Sequence, residues 1–370
     1  MHIFIAVGEV SGDTHGANLM QRFQQALPAV QFSGMGGDAM RAAGQKQSYH
    51  IKQLAILGLV EVIRHLPFLR RTFKALEAQF ASGEVDAVIL VDYPGFNLRL
   101  AKIAKRYGLP VFYYICPQMW AWGRRRIYKI RRYVDHSFVI FPFEKEFFAR
   151  YNTPATFIGH PISEAIARAK INSDGLRRKQ KLLALLPGSR AHEIAAVFSV
   201  QLEAAQRLLS EFPDWDFVVA KAAHLEARVY GNVEADRLIE NRHYDILGSA
   251  DAAIVTSGTA TLECTVFGIP YVITYKVNRL TWWLGKFLVK IPFIGMANIL
   301  SQREVVPEVL QNDLRPDVLV AHMRPLMQRE SPVRDRQKAD LAVVREQLAG
   351  EHASAIAVNK MLEILNGQRR

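Results

Sequence analysis

The chain has 370 residues, half of them hydrophobic, which is long for one ordinary core and suits two domains of common size. Its formal net charge of +12 points to an anionic partner: nucleic acid, an acidic membrane surface or a phosphorylated substrate. Cys116 and Cys264 lie far apart with no His or Cys at ligand spacing, which argues against a disulfide framework and a zinc site and fits a reducing compartment. No apolar run reaches the roughly 18–20 residues needed to span a bilayer, and no repeat or low-complexity tract is present.

The opening M-H-I-F-I-A-V-G has neither a basic region nor an A-x-A site, so it reads as a first strand and not a signal peptide. Short apolar runs then alternate with amphipathic stretches, the pattern of an α/β protein with a parallel sheet. Strands are expected at Ile3–Val7, Val30–Ser33, Ala87–Val91, Val111–Ile115, Ser137–Ile140 and Thr156–Ile158. Helices such as Phe96–Arg106 and Arg124–Val134 fall between them.

G-E-V-S-G-D-T-H-G, Gly8 to Gly16, reads as a loop at the carboxyl end of the first strand, where open α/β sheets keep ligands. Glu9, Ser11, Asp13 and His15 supply its chemistry, although Ser11 or Asp13 can equally cap the next helix, the reading preferred for Asp13. Next, L-A-I-L-G-L-V-E-V-I, Leu54 to Ile63, is apolar enough to line an acyl groove. In V-I-L-V-D-Y-P-G-F-N, Asp92 follows a fully apolar strand; it suits a general base, or an Asx-turn leading into Pro94. The block W-A-W-G-R-R-R-I-Y-K-I-R-R, read as a helix, has Ile127, Ile130 and Val134 on one face. Arg124, Arg125, Lys129 and Arg132 give it a basic surface that can meet anionic lipid or phosphate. The alternative is a solvated charged face, although no Asp or Glu stands between Arg124 and Arg132 to balance it.

The polar segment Ala169–Gln180 reads as a linker, giving lobes of 1–168 and 169–350 and a helix at 351–370 that can pack back on the first lobe. Strands are expected at Leu182–Leu186, Phe217–Ala220, Ala253–Thr256 and Tyr271–Thr274. L-P-G-S-R places Gly188, Ser189 and Arg190 between a strand and a helix start, either an anion site or a plain βα turn. T-S-G-T-A-T-L-E repeats the arrangement with Ser257, Gly258 and Thr259, and Glu263 one turn on can accept ribose hydroxyls. No G-x-G-x-x-G follows a strand and no P-loop is present. Asn278–Leu300, with Trp282, Trp283 and Lys286, suits an interfacial helix or a buried one.

Taken in order, G-E-V-S-G-D, G-L-V-E-V, V-D-Y-P-G-F-N, W-A-W before a basic run, F-P-F-E, F-I-G-H-P, L-P-G-S-R, S-G-T-A-T-L-E-C and A-N-I-L resemble the lipid-A-disaccharide synthase family over about residues 8–310. The resemblance implies a GT-B fold, two Rossmann-like lobes facing a central cleft, and inverting sugar transfer with no metal and no cofactor. It implies UDP-2,3-diacylglucosamine as donor and 2,3-diacylglucosamine 1-phosphate (lipid X) as acceptor, at the inner face of the bacterial inner membrane. Asp92 is then the base, Gly188–Arg190, Ser257–Thr259, Glu263 and Asn298 belong to the donor site, and Glu9, Ser11 and His15 to the acceptor side. Gly95 stands where the family commonly has Asp. A homodimer is among the partners this reading allows. The alternatives are another GT-B transferase or epimerase acting on an unacylated UDP-sugar, and a basic nucleic-acid-binding protein.

Overall fold

A computed structural model describes residues 1–54, 66–121, 123–278, 292–350 and 352–368. Among these residues the strands form two sheets, and the chain divides into two compact units, Met1–Pro161 with Gly350–Arg370, and Ile162–Ala349.

The first unit contains β1 (His2–Ala6), β2 (Gln31–Gly36), β3 (Lys46–His50), β4 (Ala87–Val91), β5 (Val111–Tyr114), β6 (His136–Val139) and β7 (Ala155–Phe157). They pair in parallel in the order β3-β2-β1-β4-β5-β6-β7. All five residues of β4 are buried, as a strand covered on both faces requires, and this is why its sequence is an unbroken apolar run. Phe80 of the helix Leu66–Ala81 meets Phe4 of β1 edge-on at 5.1 Å, fastening that helix to the sheet, and Phe73 stacks on Phe96 of the helix Pro94–Arg106 at 4.4 Å, joining the two helices. Each such buried side chain contributes about 1.5–3 kcal/mol. The C-terminal helix Ala353–Gln368 packs on Val10–Ala26, so both ends of the chain build this unit.

The second unit contains β8 (Lys181–Leu186), β9 (Trp215–Lys221), β10 (Leu238–Glu240), β11 (Ala252–Thr256), β12 (Tyr271–Tyr275) and β13 (Glu308–Leu310), parallel in the order β10-β9-β8-β11-β12-β13. Residues 162–168 cluster here and not with the first unit, as the sequence division at 168 had it; the Ser163 hydroxyl donates to the Leu348 carbonyl at 3.0 Å.

Each sheet has one place where its strand order reverses: β1 beside β4, and β8 beside β11. Connections leave such a pair in opposite directions, so a crevice opens beyond the strands' carboxyl ends. The first of these is tighter than the sequence suggests. The expected loop Gly8–Gly16 is mostly helix, which begins at Val10. The expected helix Arg124–Val134 is a 3-10 turn, Arg124–Arg126, followed by Ile127–Tyr133. Among the described residues no helix is long and apolar enough to cross a membrane. Most of the apolar stretch 54–63 and the residues Trp282, Trp283 and Lys286 lie outside the described residues.

Candidate functional site

In the second unit β8 and β11 are hydrogen-bonded neighbours, with Val255 opposite Leu186. The turns that follow them therefore stand side by side, and each opens a helix: Ala191–Glu211 after Arg190 and Thr259–Phe267 after Gly258. Gly188 has φ +110° and Gly258 φ +159°, values that L side chains rarely adopt, so both turns call for glycine. Beneath them, the buried Gln201 amide donates to Thr256 Oγ1 at 3.2 Å and Thr274 Oγ1 at 2.8 Å, fixing the end of β11.

Between the turns lies a pocket of about 560 Å³. Gly188, Ser189, Arg190, Ser257, Gly258, Thr259 and Glu263 all line it. Two helix N-termini and the Arg190 guanidinium make this region attractive to an anion. The Glu263 side chain, only 12% exposed, has its Oε2 2.6 Å from His243 Nε2. Tyr244, beside it, is pushed up to about 12, first by burial and then by the Glu263 charge. The imidazole and the Tyr244 hydroxyl both engage this carboxylate, whose remaining lone pairs can accept hydroxyl donors from a vicinal diol.

The opposite wall comes from residues the sequence reading did not single out: Lys221, Ile239, Asn241 and His243, from the ends of β9 and β10 and the helix start at His243. Asn298 does not line the pocket. It is fully buried, its Nδ2 donates to Val306 O and Glu308 Oε1, both at 2.8 Å, and its Oδ1 accepts from the amides of Val305 and Val306. It ties the helix Met296–Ser301 to β13.

In the first unit Ala6 stands opposite Leu90, which brings Gly8 and Asp92 together beyond β1 and β4. A Cβ on Gly8 would lie 2.2 Å from Cγ of Tyr93, so the Tyr93 ring rests on a surface only glycine provides. Asp92 and Tyr93 both have left-handed backbone, φ +45° and +49°, a conformation costing about 1–3 kcal/mol per residue. Two side chains hold it: Tyr113 Oη and Asn97 Nδ2 each donate to the Asp92 carbonyl at 2.7 Å. The Asp92 carboxyl is raised above the ordinary 3.8, chiefly by burial and then by the charge of Glu9, with the Tyr93 amide opposing. A partly desolvated carboxyl at a strained strand end can act as a general base.

Glu9 and Ser11 are exposed at the start of the helix Val10–Ala26, and His15 is half-buried one turn further on. Asp13 caps a different helix from the one expected: it accepts from the amides of Gly37, Ala39 and Met40 at the start of Asp38–Ala42. A Cβ at Gly95 would have nothing within 4 Å, so that position has room for a side chain. Ile127, Ile130 and Val134 are buried, while Arg124, Arg125, Lys129 and Arg132 are exposed. Just before this block the Trp120 indole donates to Glu144 Oε1 at 2.9 Å. Burial pushes that carboxyl up to about 7.

Comparison with known proteins adds to this geometry. The lipid-A-disaccharide synthetase family model matches residues 3–360. The chain is 38% identical over 376 residues to the lipid-A-disaccharide synthase of Geobacter sulfurreducens, covering 99% of this chain and 98% of that protein. With its counterpart from Nitrosococcus oceani it is 39% identical over 326 residues, 85% of this chain and 84% of that one. Among solved structures it is similar to the UDP-GlcNAc 2-epimerase from Neisseria meningitidis bound to UDP-GlcNAc, with TM-score 0.68 at 12% identity, covering 98% of this chain and 100% of that one. It is also similar to the calicheamicin glycosyltransferase CalG4, with TM-score 0.62 at 14% identity over 99% and 98% of the two chains. These likenesses show an α/β fold of the GT-B type. With a family model matched along nearly its whole length and relatives more than a third identical, the chain belongs to the lipid-A-disaccharide synthase family of glycosyltransferases.

Proposed function

We propose that the chain transfers 2,3-diacylglucosamine from UDP-2,3-diacylglucosamine to 2,3-diacylglucosamine 1-phosphate, inverting the anomeric carbon and releasing UDP. The observation that carries this reading is the pocket at the β8/β11 reversal, where two helix N-terminal turns, Arg190 and Glu263 converge. A nucleoside diphosphate needs that combination: donors for its phosphates and a carboxylate for its ribose.

The Asp92 carboxylate accepts the proton of the acceptor hydroxyl as its oxygen attacks the anomeric carbon. On the other side of that carbon the bond to the diphosphate oxygen breaks. Arg190 and the amides after Gly188 and Gly258 stabilise the negative charge that develops there. Serine hydroxyls at 189 and 257 add donors, and Thr259 adds a third. Glu9, Ser11 and His15 line the acceptor side around Asp92, with Glu9 raising the basicity of that carboxyl. Arg124, Arg125, Lys129 and Arg132, with Trp282, Trp283 and Lys286, contact the anionic membrane surface in which both acylated sugars reside.

Calorimetric titration tests the donor half. Glu263→Ala removes charge-assisted hydrogen bonds worth about 1.5–3 kcal/mol, so UDP affinity falls roughly 10- to 100-fold. Unchanged affinity overturns the ribose role.

A further inference from the structure

The pocket already holds a carboxylate in the place where an anion is expected. Glu193 stands in the first turn of the helix Ala191–Glu211, and its Oε1 accepts from Arg190 Nη1 at 2.9 Å. Its Oε2 lies over the preceding turn, 2.9 Å from where a Cβ on Gly188 would stand. Both residues line the pocket, and neither is buried: the Glu193 side chain is 22% exposed and that of Arg190 63%. The carboxylate thus pairs with the guanidinium and lies beside the glycine turn at the helix start. Those are the same groups that would receive a phosphate.

We propose that Glu193 is a resident counter-anion that the donor's diphosphate displaces from Arg190, and that it sets how tightly the site holds UDP. The inference rests on the reading of this pocket as the nucleotide site. A site with two helix N-termini and an arginine binds a diphosphate strongly, and a product held that tightly leaves slowly. Glu193 opposes this in two ways. It occupies Arg190 when the pocket is empty, and it repels the diphosphate when the pocket is filled. Its charge therefore weakens the hold on the phosphates and leaves the contacts of base and ribose alone. Displacement moves no covalent bond and no proton; the carboxylate rotates away and returns to Arg190 as UDP departs.

The experiment compares UDP and uridine binding to wild type, Glu193→Gln and Glu193→Ala by calorimetry, with UDP inhibition of turnover as a second readout. Both variants bind UDP about 10-fold more tightly than wild type. Uridine, which has no phosphate, binds all three proteins equally, and UDP becomes the stronger inhibitor of both variants. UDP affinity that is unchanged or weaker overturns the proposal. So does an equal gain for uridine, which would mean that the pocket had been reshaped, and so does loss of uridine binding in both variants, which would make Glu193 a structural residue. A wild-type protein that binds neither ligand overturns the nucleotide reading itself, a separate failure.

Discussion

At the scale of single residues, Asp92 combines three costs that an ordinary surface aspartate avoids. Its backbone is left-handed, its carboxyl is largely desolvated, and the charge of Glu9 opposes its ionisation. Folded, it holds its proton to a higher pH than unfolded. Its ionisation therefore removes nothing from stability below the unfolded value of 3.8, and destabilises increasingly as pH rises through the interval up to the folded value. Asp92→Asn should melt no lower than wild type at neutral pH while losing about 10²- to 10⁴-fold in turnover, with UDP affinity unchanged. If Asp92 is the proposed base, its ionised form is the active one and kcat/KM rises with pH through the raised Asp92 value. Glu9→Gln removes a repelling charge and shifts that limb to lower pH; pH–rate profiles that superimpose would contradict the coupling. The sequence showed Asp92 as a carboxylate after an apolar strand. It could not show the strain, which depends on Tyr113 and Asn97 reaching one carbonyl from other elements.

At the scale of elements, the strands legible in the sequence are those whose burial forces an apolar run, such as β4, β8 and β11. Three strands that the sequence reading missed, β3, β10 and β13, all lie at sheet edges. Lys46–His50 reads K-Q-S-Y-H because one side of an edge strand has no partner, and its side chains are partly exposed. The same limit explains the site. That Gly188–Arg190 and Ser257–Glu263 could share a pocket was legible because each set sits on one contiguous strand–turn–helix segment. His243, Asn241 and Lys221 were not, because they reach the pocket through strand order. The hydrogen bond from His243 to Glu263 exists because the helix His243–Ser249 packs against Thr259–Phe267. The turn after β4 offers the test at this scale. Tyr113→Phe deletes the hydroxyl that donates to Asp92 O and costs about 1 kcal/mol of stability. If that hydroxyl positions the turn, kcat drops while the KM values of both sugars hold. A kcat equal to that of wild type would leave Tyr113 a purely structural role.

At the scale of the whole molecule, the excess of +12 in charge has a local expression in the exposed cations Arg124, Arg125, Lys129 and Arg132 over buried Ile127 and Ile130. Each basic residue near an anionic bilayer adds about 1 kcal/mol of attraction, screened by salt. Replacing the four by Gln should reduce co-sedimentation with phosphatidylglycerol vesicles at least 10-fold and raise KM for the acylated acceptor, with UDP affinity intact. Undiminished vesicle binding would contradict the proposed role of this block at a membrane surface. The two-unit α/β architecture was visible in the strand–helix alternation, whereas the return of Gly350–Arg370 to the first unit requires packing that no local pattern encodes.

We propose that this chain joins two acylated sugars. Mass spectrometry of the products formed by the purified protein from UDP-2,3-diacylglucosamine and 2,3-diacylglucosamine 1-phosphate tests it most directly. A tetra-acylated disaccharide monophosphate should form in equal amount with UDP, and neither product should form when one sugar is omitted. A UDP-sugar that is isomerised or hydrolysed without an acceptor, with no disaccharide formed, would contradict it.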